Sequence, residues 1–204
     1  PFTVEGVVEE ECSGNGAVAC MAKGYDADAV LIPEPFGPTL LTAQLGVMWF
    51  KVTLQGKPVH VLQAQGGVNA IDKCYTLIGA LRKLEEELNR GPRPSCYEQK
   101  VHPINLNIGI LKGGDWPSTV PAEASFHARL SYFPGISFKD ISQKVMSVIS
   151  EETAKDLWLK NNPPKVEFYG FRSDGHIVSR KLPAFEVLNS CQQSLSGKDA
   201  KEYI

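Results

Sequence analysis

The stretch LGVMWFKVTLQ, residues 45–55, decides the fold. Gly46, Met48, Phe50, Val52 and Leu54 fall on one side of an extended chain, and Lys51, Thr53 and Gln55 on the other. A period of two with one apolar side marks a strand whose sheet is covered on one face only. Downstream, residues 66–91 change period. Ile71, Cys74, Ile78, Leu81, Leu84 and Leu88 recur at helical spacing, and Gly91-Pro92 ends the run. INLNIGILKGG (104–114) alternates again, with Ile104, Leu106, Ile108 and Ile110 on one face and Asn105 and Asn107 on the other. EASFHARLSYFPG (123–135) does the same, with Phe126, Ala128, Leu130 and Tyr132 inward. Ser137, with Asp140 three residues on, has capping-box spacing and opens a helix faced by Ile141, Val145, Val148 and Ile149. PKVEFYGF (164–171) is the last strand. The order β-α-β-β-α-β, with one alternating face and two helices to cover it, predicts a ferredoxin-like α+β domain over 44–171.

Upstream, residues 1–43 read as a piece of a parallel α/β domain. FTVEGVV (2–8) is an apolar run ending in Glu9-Glu10-Glu11, followed by SGNG and a short helix-like stretch, AVACMAKG. DADAVLIPEP (26–35) is a second apolar run, ending in Glu34 between Pro33 and Pro35. Continuous apolar runs bounded by turn residues read as buried parallel strands, and ligands gather at the carboxyl ends of such strands. Residues 172–204 hold one more helix, around PAFEVLNSCQQSLSG, and are expected to return to the first segment. The ferredoxin-like domain would then be an insertion. The chain opens on Pro1-Phe2 almost directly into a strand and ends abruptly on KDAKEYI, so a piece of a longer protein is expected.

Composition narrows the functions. With 204 residues and 43% hydrophobic side chains, the chain can bury a sizeable core. Its 21 basic and 23 acidic residues nearly balance, which removes the electrostatic case for nucleic acid or an anionic membrane. Residues 45–55 are too short for a membrane span and are broken by Lys51. Five scattered cysteines without CxxC spacing argue against a disulfide framework and make a reducing cytoplasm the default.

Three places could carry chemistry. Adjacent carboxylates at 9–11 repel unless solvent or a cation relieves them; a solvated acidic turn is the common reading of a bare triplet. Glu34 at the next strand end shifts the balance toward a hard, oxygen-rich metal site. His60, in QGKPVH, stands just past the first strand of the inserted domain, where a lone histidine is more often a surface group than a catalyst. Arg129 shares the face opposite the core with Ser125, His127 and Ser131, and is either solvated or able to clamp a carboxylate.

Taken in order, these motifs resemble the M20 metallopeptidase and amidohydrolase family, the family of acetylornithine deacetylase and succinyl-diaminopimelate desuccinylase. The resemblance rests on the acidic cluster with Gly16 downstream, ADAVLIPEP, GVMWFKVTLQGKPVHV, GVNAI and VPAEASFHARLSYFPG, and it covers essentially the whole chain. It implies two zinc ions bridged by a water in the full-length enzyme, acting on an N-acyl amino acid or related amide. It implies Glu10 as general base, and Glu11 and Glu34 as metal ligands. His60 resembles the histidine that reaches into the other subunit's site to donate to the oxyanion. The family's substrate-carboxylate arginine counts to Ser131, and Arg129, two residues earlier on the same strand face, is the substrate-binding candidate together with Ser118, which stands where an asparagine is common. The ferredoxin-like domain resembles the family's lid, its usual homodimer surface. The family's remaining ligands would lie outside these residues, so the chain alone is expected to be inactive and largely without zinc. The rival expectation is a non-catalytic dimerisation module.

Overall fold

A computed structural model describes residues 2–34, 37 and 39–204; Pro1 and Pro35, which figure in the reading above, lie outside the described residues. The chain divides into two compact units, Leu45–Gly175 and Pro1–Gln44 with His176–Ile204.

In chain order the helices are α1 (Asn15–Ala22), α2 (Ala70–Arg90), α3 (Phe138–Lys155), α4 (Leu157–Asn161) and α5 (Pro183–Ser196). The strands are β1 (Thr39–Leu41), β2 (Ala43–Gln44), β3 (Gly46–Gln55), β4 (Leu106–Gly113), β5 (Glu123–Tyr132), β6 (Lys165–Ser173), β7 (His176–Ile177) and β8 (Lys201–Tyr203).

The unit Leu45–Gly175 is the expected β-α-β-β-α-β arrangement. Its antiparallel sheet has the order β4-β5-β3-β6. Met48, Phe50, Val52 and Leu54 of β3 and Phe126 and Leu130 of β5 are fully or almost fully buried, as the alternation requires. They meet Cys74, Leu77, Leu81 and Leu84 of α2 and Ile141, Val145 and Ile149 of α3. Asn69 caps α2, its Oδ1 accepting from the Ile71 and Asp72 amides. Ser137 caps α3 by accepting from the Asp140 amide.

One expectation fails here. The β4–β5 register shifts between Ile108 and Ile110, so Ile110 pairs with His127 and not with an inward residue. Ile110 is therefore exposed, on the face away from the helices. The cause is one extra residue, Gly109, which inverts the alternation of everything after it.

The entry to β4 is held by α2 side chains. Asn89 Oδ1 accepts from the Ile104 amide and its Nδ2 donates to the Ile104 carbonyl, at 3.0 and 2.9 Å. Glu85 Oε1 accepts from the Leu106 amide at 2.8 Å, while Arg82 donates to the Leu106 carbonyl. The peptide groups of 104 and 106 thus find partners on a helix.

In the other unit, β1 pairs in parallel with β8, and β2 antiparallel with β7. The apolar runs 2–8 and 26–35, the latter described to Glu34, are not strands: no ladder is assigned to them among the described residues, and Val4 and Val30 are 78% and 83% exposed. An apolar run becomes a strand only when a neighbour takes up its peptide groups, and among the described residues no ladder does so.

Candidate active site

The acidic turn begins at Glu9, which takes a positive φ of 60°. Its carbonyl accepts from the amides of Cys12, Ser13 and Gly14, so the chain reverses tightly before α1. Its carboxylate accepts from the Ser13 hydroxyl and from Asn15 Nδ2. Glu9 is therefore occupied within the turn, leaving Glu10 and Glu11 to face outward. Gly16 explains the spacing: a Cβ there would lie 2.4 Å from the Val8 carbonyl oxygen, so the first turn of α1 crosses the preceding chain at a distance only glycine allows.

Glu10 and Glu34 meet although they are distant in sequence. The Glu34 charge holds the exposed Glu10 carboxyl above its ordinary range, reinforced by slight desolvation, by Glu11 and by a hydrogen bond shared with Glu34. Two carboxyl groups in such contact repel unless a proton or a cation lies between them. Hard divalent cations suit such an oxygen pair, and zinc accepts carboxylates alongside histidines. Among the described residues, however, no three His, Cys, Asp or Glu side chains converge to hold a metal ion. The carboxylates fit part of a metal site and do not complete one.

His60 and Ser118 are brought together in the unit Leu45–Gly175. His60 forms an antiparallel bridge with Thr119, and the Val61 amide donates to the Ser118 carbonyl at 2.9 Å. The His60 side chain is exposed and caps the 3-10 turn Val61–Gly66, with Nδ1 accepting from the Leu62 amide at 3.3 Å. An accepting Nδ1 leaves the ring proton of the neutral imidazole on Nε2. The residue is thus set as a hydrogen-bond donor on its outer edge.

Arg129 stands apart from that pair. It is exposed, between Trp49 of β3 and Asn107 of β4 on the face without helices. Gln55, at the end of β3 that leads to His60, is six positions along from Trp49, or about 20 Å at strand rise. A single small ligand of this unit does not span both. Beside Arg129, His127 Nδ1 lies 2.6 Å from the Tyr169 hydroxyl. Desolvation, then Lys51 and Lys112, pushes the His127 imidazole below its ordinary range.

Of the loop between β4 and β5 the sequence reading singled out only Ser118. Gly113-Gly114-Asp115-Trp116-Pro117-Ser118 is a run of turn residues, and that run was the available signal. It closes against the segment on either side of His60, with the Val61 amide donating to the Ser118 carbonyl and the Val120 amide donating to the Val59 carbonyl, both at 2.9 Å.

Comparison with known proteins agrees with this architecture. The peptidase dimerisation domain family of M20 matches residues 42–157, more than half of the chain. Acetylornithine deacetylase of Klebsiella pneumoniae is 25% identical over 202 residues, covering 95% of this chain and 52% of the relative. The Pasteurella multocida enzyme of the same name is 20% identical over 193 residues, covering 94% and 47%. Among solved structures, an aminopeptidase from Bacillus cereus superposes with a TM-score of 0.65 at 17% identity, over 97% of this chain and 48% of that one. A tripeptidase from Staphylococcus aureus gives 0.63 at 19% identity, over 93% and 46%. The chain spans about half the length of the curated relatives it matches. With its four-stranded sheet in place and the match running through β3, α2, β4, β5 and α3, the chain belongs to the M20 peptidase family, whose dimerisation domain it carries.

Proposed function

We propose that this chain is part of a zinc-dependent amidohydrolase that hydrolyses an N-acyl amino acid or related amide, working as a homodimer in the cytoplasm. The single observation that supports it most is the meeting of Glu10 with Glu34, two carboxylates placed together by a turn and a distant segment. In this reading residues 1–43 and 172–204 belong to the catalytic domain and 44–171 form the lid.

Glu11 and Glu34 hold metal in the whole protein, together with ligands from outside these residues; bound zinc supplies Lewis-acid polarisation of an amide carbonyl. Glu10 takes the proton from the attacking water as the C–O bond forms. It then gives a proton to the nitrogen as the C–N bond breaks, so carboxylic acid and amine leave and Glu10 returns ionised. His60, with its proton on Nε2, donates to the oxyanion in the other subunit's site. Ser118, held beside His60, binds substrate in the same site as that histidine, and Arg129, too far along the sheet to share that site within one subunit, binds substrate from the other subunit. The rival reading is a dimerisation module without chemistry, which the match of residues 42–157 to a dimerisation domain supports.

The test uses the whole gene product. Glu10→Gln is expected to leave metal content near normal while kcat falls by about 10²–10⁴, the usual share of a general acid–base. Glu11→Gln is expected to lose metal as well. Elemental analysis beside steady-state kinetics reads both, and equal metal loss in the two variants would contradict the roles assigned. Normal metal and unchanged kcat in both would remove Glu10 and Glu11 from the site, and a whole gene product with neither metal nor hydrolytic activity would favour the module.

A further inference from the structure

The unit Leu45–Gly175 carries an open cleft of about 550 Å³ directly beside His60. Its walls include Val61, Ile71, Trp116, Val120 and Pro121, with Asp115 as the charged lining residue. Val61 follows His60 in the chain, and Thr119, also in the wall, is its bridge partner. The cleft therefore starts one residue from the imidazole.

The walls are fixed before anything enters. Gly114, at a φ of 70°, turns the loop and donates to the Glu123 carbonyl at 3.2 Å. A Cβ on Gly113 would come within 2.9 Å of Ile71 Cγ1 and 2.8 Å of Ala124 Cβ, so the loop packs down onto α2 and β5. Thr119 donates to the Trp116 carbonyl at 3.1 Å, closing the turn that presents the indole. Trp116 is nonetheless 67% exposed, a large apolar surface held at the rim.

We infer that this cleft is the acyl-group subsite of the amidohydrolase, selecting an uncharged aliphatic or aryl acyl chain and rejecting an anionic one, with Trp116 and Asp115 as the specificity-determining residues. The inference rests on the reading of His60 as oxyanion donor. If His60 meets the reacting carbonyl, the substituents of that carbonyl extend into what adjoins His60. Of the two halves of an N-acyl amino acid, the amino-acid half bears a carboxylate, which Asp115 repels. The acyl half is what remains. An apolar wall with a rigid indole favours a chain longer than acetyl, since each added methylene gains buried contact.

The experiment compares kcat/KM of the metal-loaded whole gene product on N-acetyl, N-hexanoyl and N-succinyl derivatives of one amino acid. The wild type is expected to prefer hexanoyl to succinyl. Trp116→Ala is expected to lower the hexanoyl-to-acetyl ratio at least about tenfold, while Trp116→Phe keeps it within about threefold, the scale for contacts in an apolar pocket. Asp115→Asn is expected to raise the succinyl-to-acetyl ratio about tenfold. Ratios unmoved by all three variants in an active enzyme would overturn the subsite. A Trp116→Ala enzyme that light scattering shows to have become monomeric, with all substrates reduced alike, would assign the cleft to a second copy of the chain and overturn it too. A metal-loaded wild type inert toward every N-acyl compound would sink the amidohydrolase reading, and this inference with it.

Discussion

At Gly46 a Cβ would lie 2.3 Å from the Tyr132 ring on the paired strand. That ring cannot swing aside, because its hydroxyl donates to the Ser173 carbonyl and lies in hydrogen-bond contact with Asp174 Oδ1, both at 3.0 Å. Asp174 Oδ1 also accepts from the Phe138 amide at 2.8 Å, so the tyrosine is tied to the start of α3. Burial and Asp174 together push the Tyr132 phenol well above its ordinary range, which keeps it a donor. Gly46→Ala is accordingly expected to destabilise the chain by about 1–3 kcal/mol, as overpacking against an immobile neighbour does. Urea denaturation would read the change, and a midpoint equal to that of the parent chain would show the ring to be free. The same logic separates what residues revealed about themselves. Gly16 was legible as a spacing marker, but only the approach of Val8 gives its reason. His60 was legible as a candidate; its N-cap bond to Leu62, which fixes the ring proton, was not.

Among elements, the join between α2 and β4 depends on one buried carboxylate. Burial pushes the Glu85 carboxyl up, but the Leu106 amide, Arg82 and His102 outweigh it, and the net direction is below the ordinary 4.5. A carboxyl whose folded value is depressed adds stability that is complete above its unfolded value and is lost as the pH falls through the folded one. The chain is expected to lose this contribution as the pH is lowered below about 4.5. Glu85→Gln is expected to cost about 1–3 kcal/mol at neutral pH and to flatten that acid slope, measured by denaturation at several pH values. An unchanged slope would assign acid sensitivity elsewhere, for instance to Asp156, whose carboxylate pairs with Lys73 and caps α4. Elements whose periodicity is uninterrupted were readable from the sequence, as β3, α2, β5 and α3 show. Those set by distant partners were not. The alternation holds through Ile108 and is broken at Gly109 before Ile110, and the runs 2–8 and 26–35 looked like strands because composition reports burial tendency and not the presence of a neighbour. The pairs β1–β8 and β2–β7 are two or three residues long and join opposite ends of the chain, beyond the reach of any local pattern.

For the molecule as a whole, the reading divides the work of one site between two subunits, with carboxylates from one and His60 from the other. Mixing a Glu10→Gln enzyme with a His60→Ala enzyme, each nearly inactive alone, is then expected to restore activity. After full subunit exchange half of the molecules are heterodimers with one intact site, giving about a quarter of wild-type activity. His60→Ala alone should cost about 2.7–4 kcal/mol of transition-state stabilisation. Absence of rescue, once exchange is verified by mass, would place His60 in the same subunit's site or outside catalysis. The path of the chain has its own consequence. Gln44 and His176 face each other across a two-rung antiparallel ladder, which the Val178 amide extends by donating to the Thr42 carbonyl at 2.7 Å. The chain leaves for residues 45–175 and returns through one doorway, so that whole unit is topologically a very long hairpin turn. Turns can be exchanged when their ends match, and a two-residue Asn-Gly connection matches these. Closure entropy grows only with the logarithm of length, so by flexible-loop scaling an excursion of 131 residues costs only about 3–4 kcal/mol more than one of two. The rung at Gln44 and His176 is in this sense a splice point, where an entire folded unit can be added, removed or traded while the ladder beneath it keeps its register.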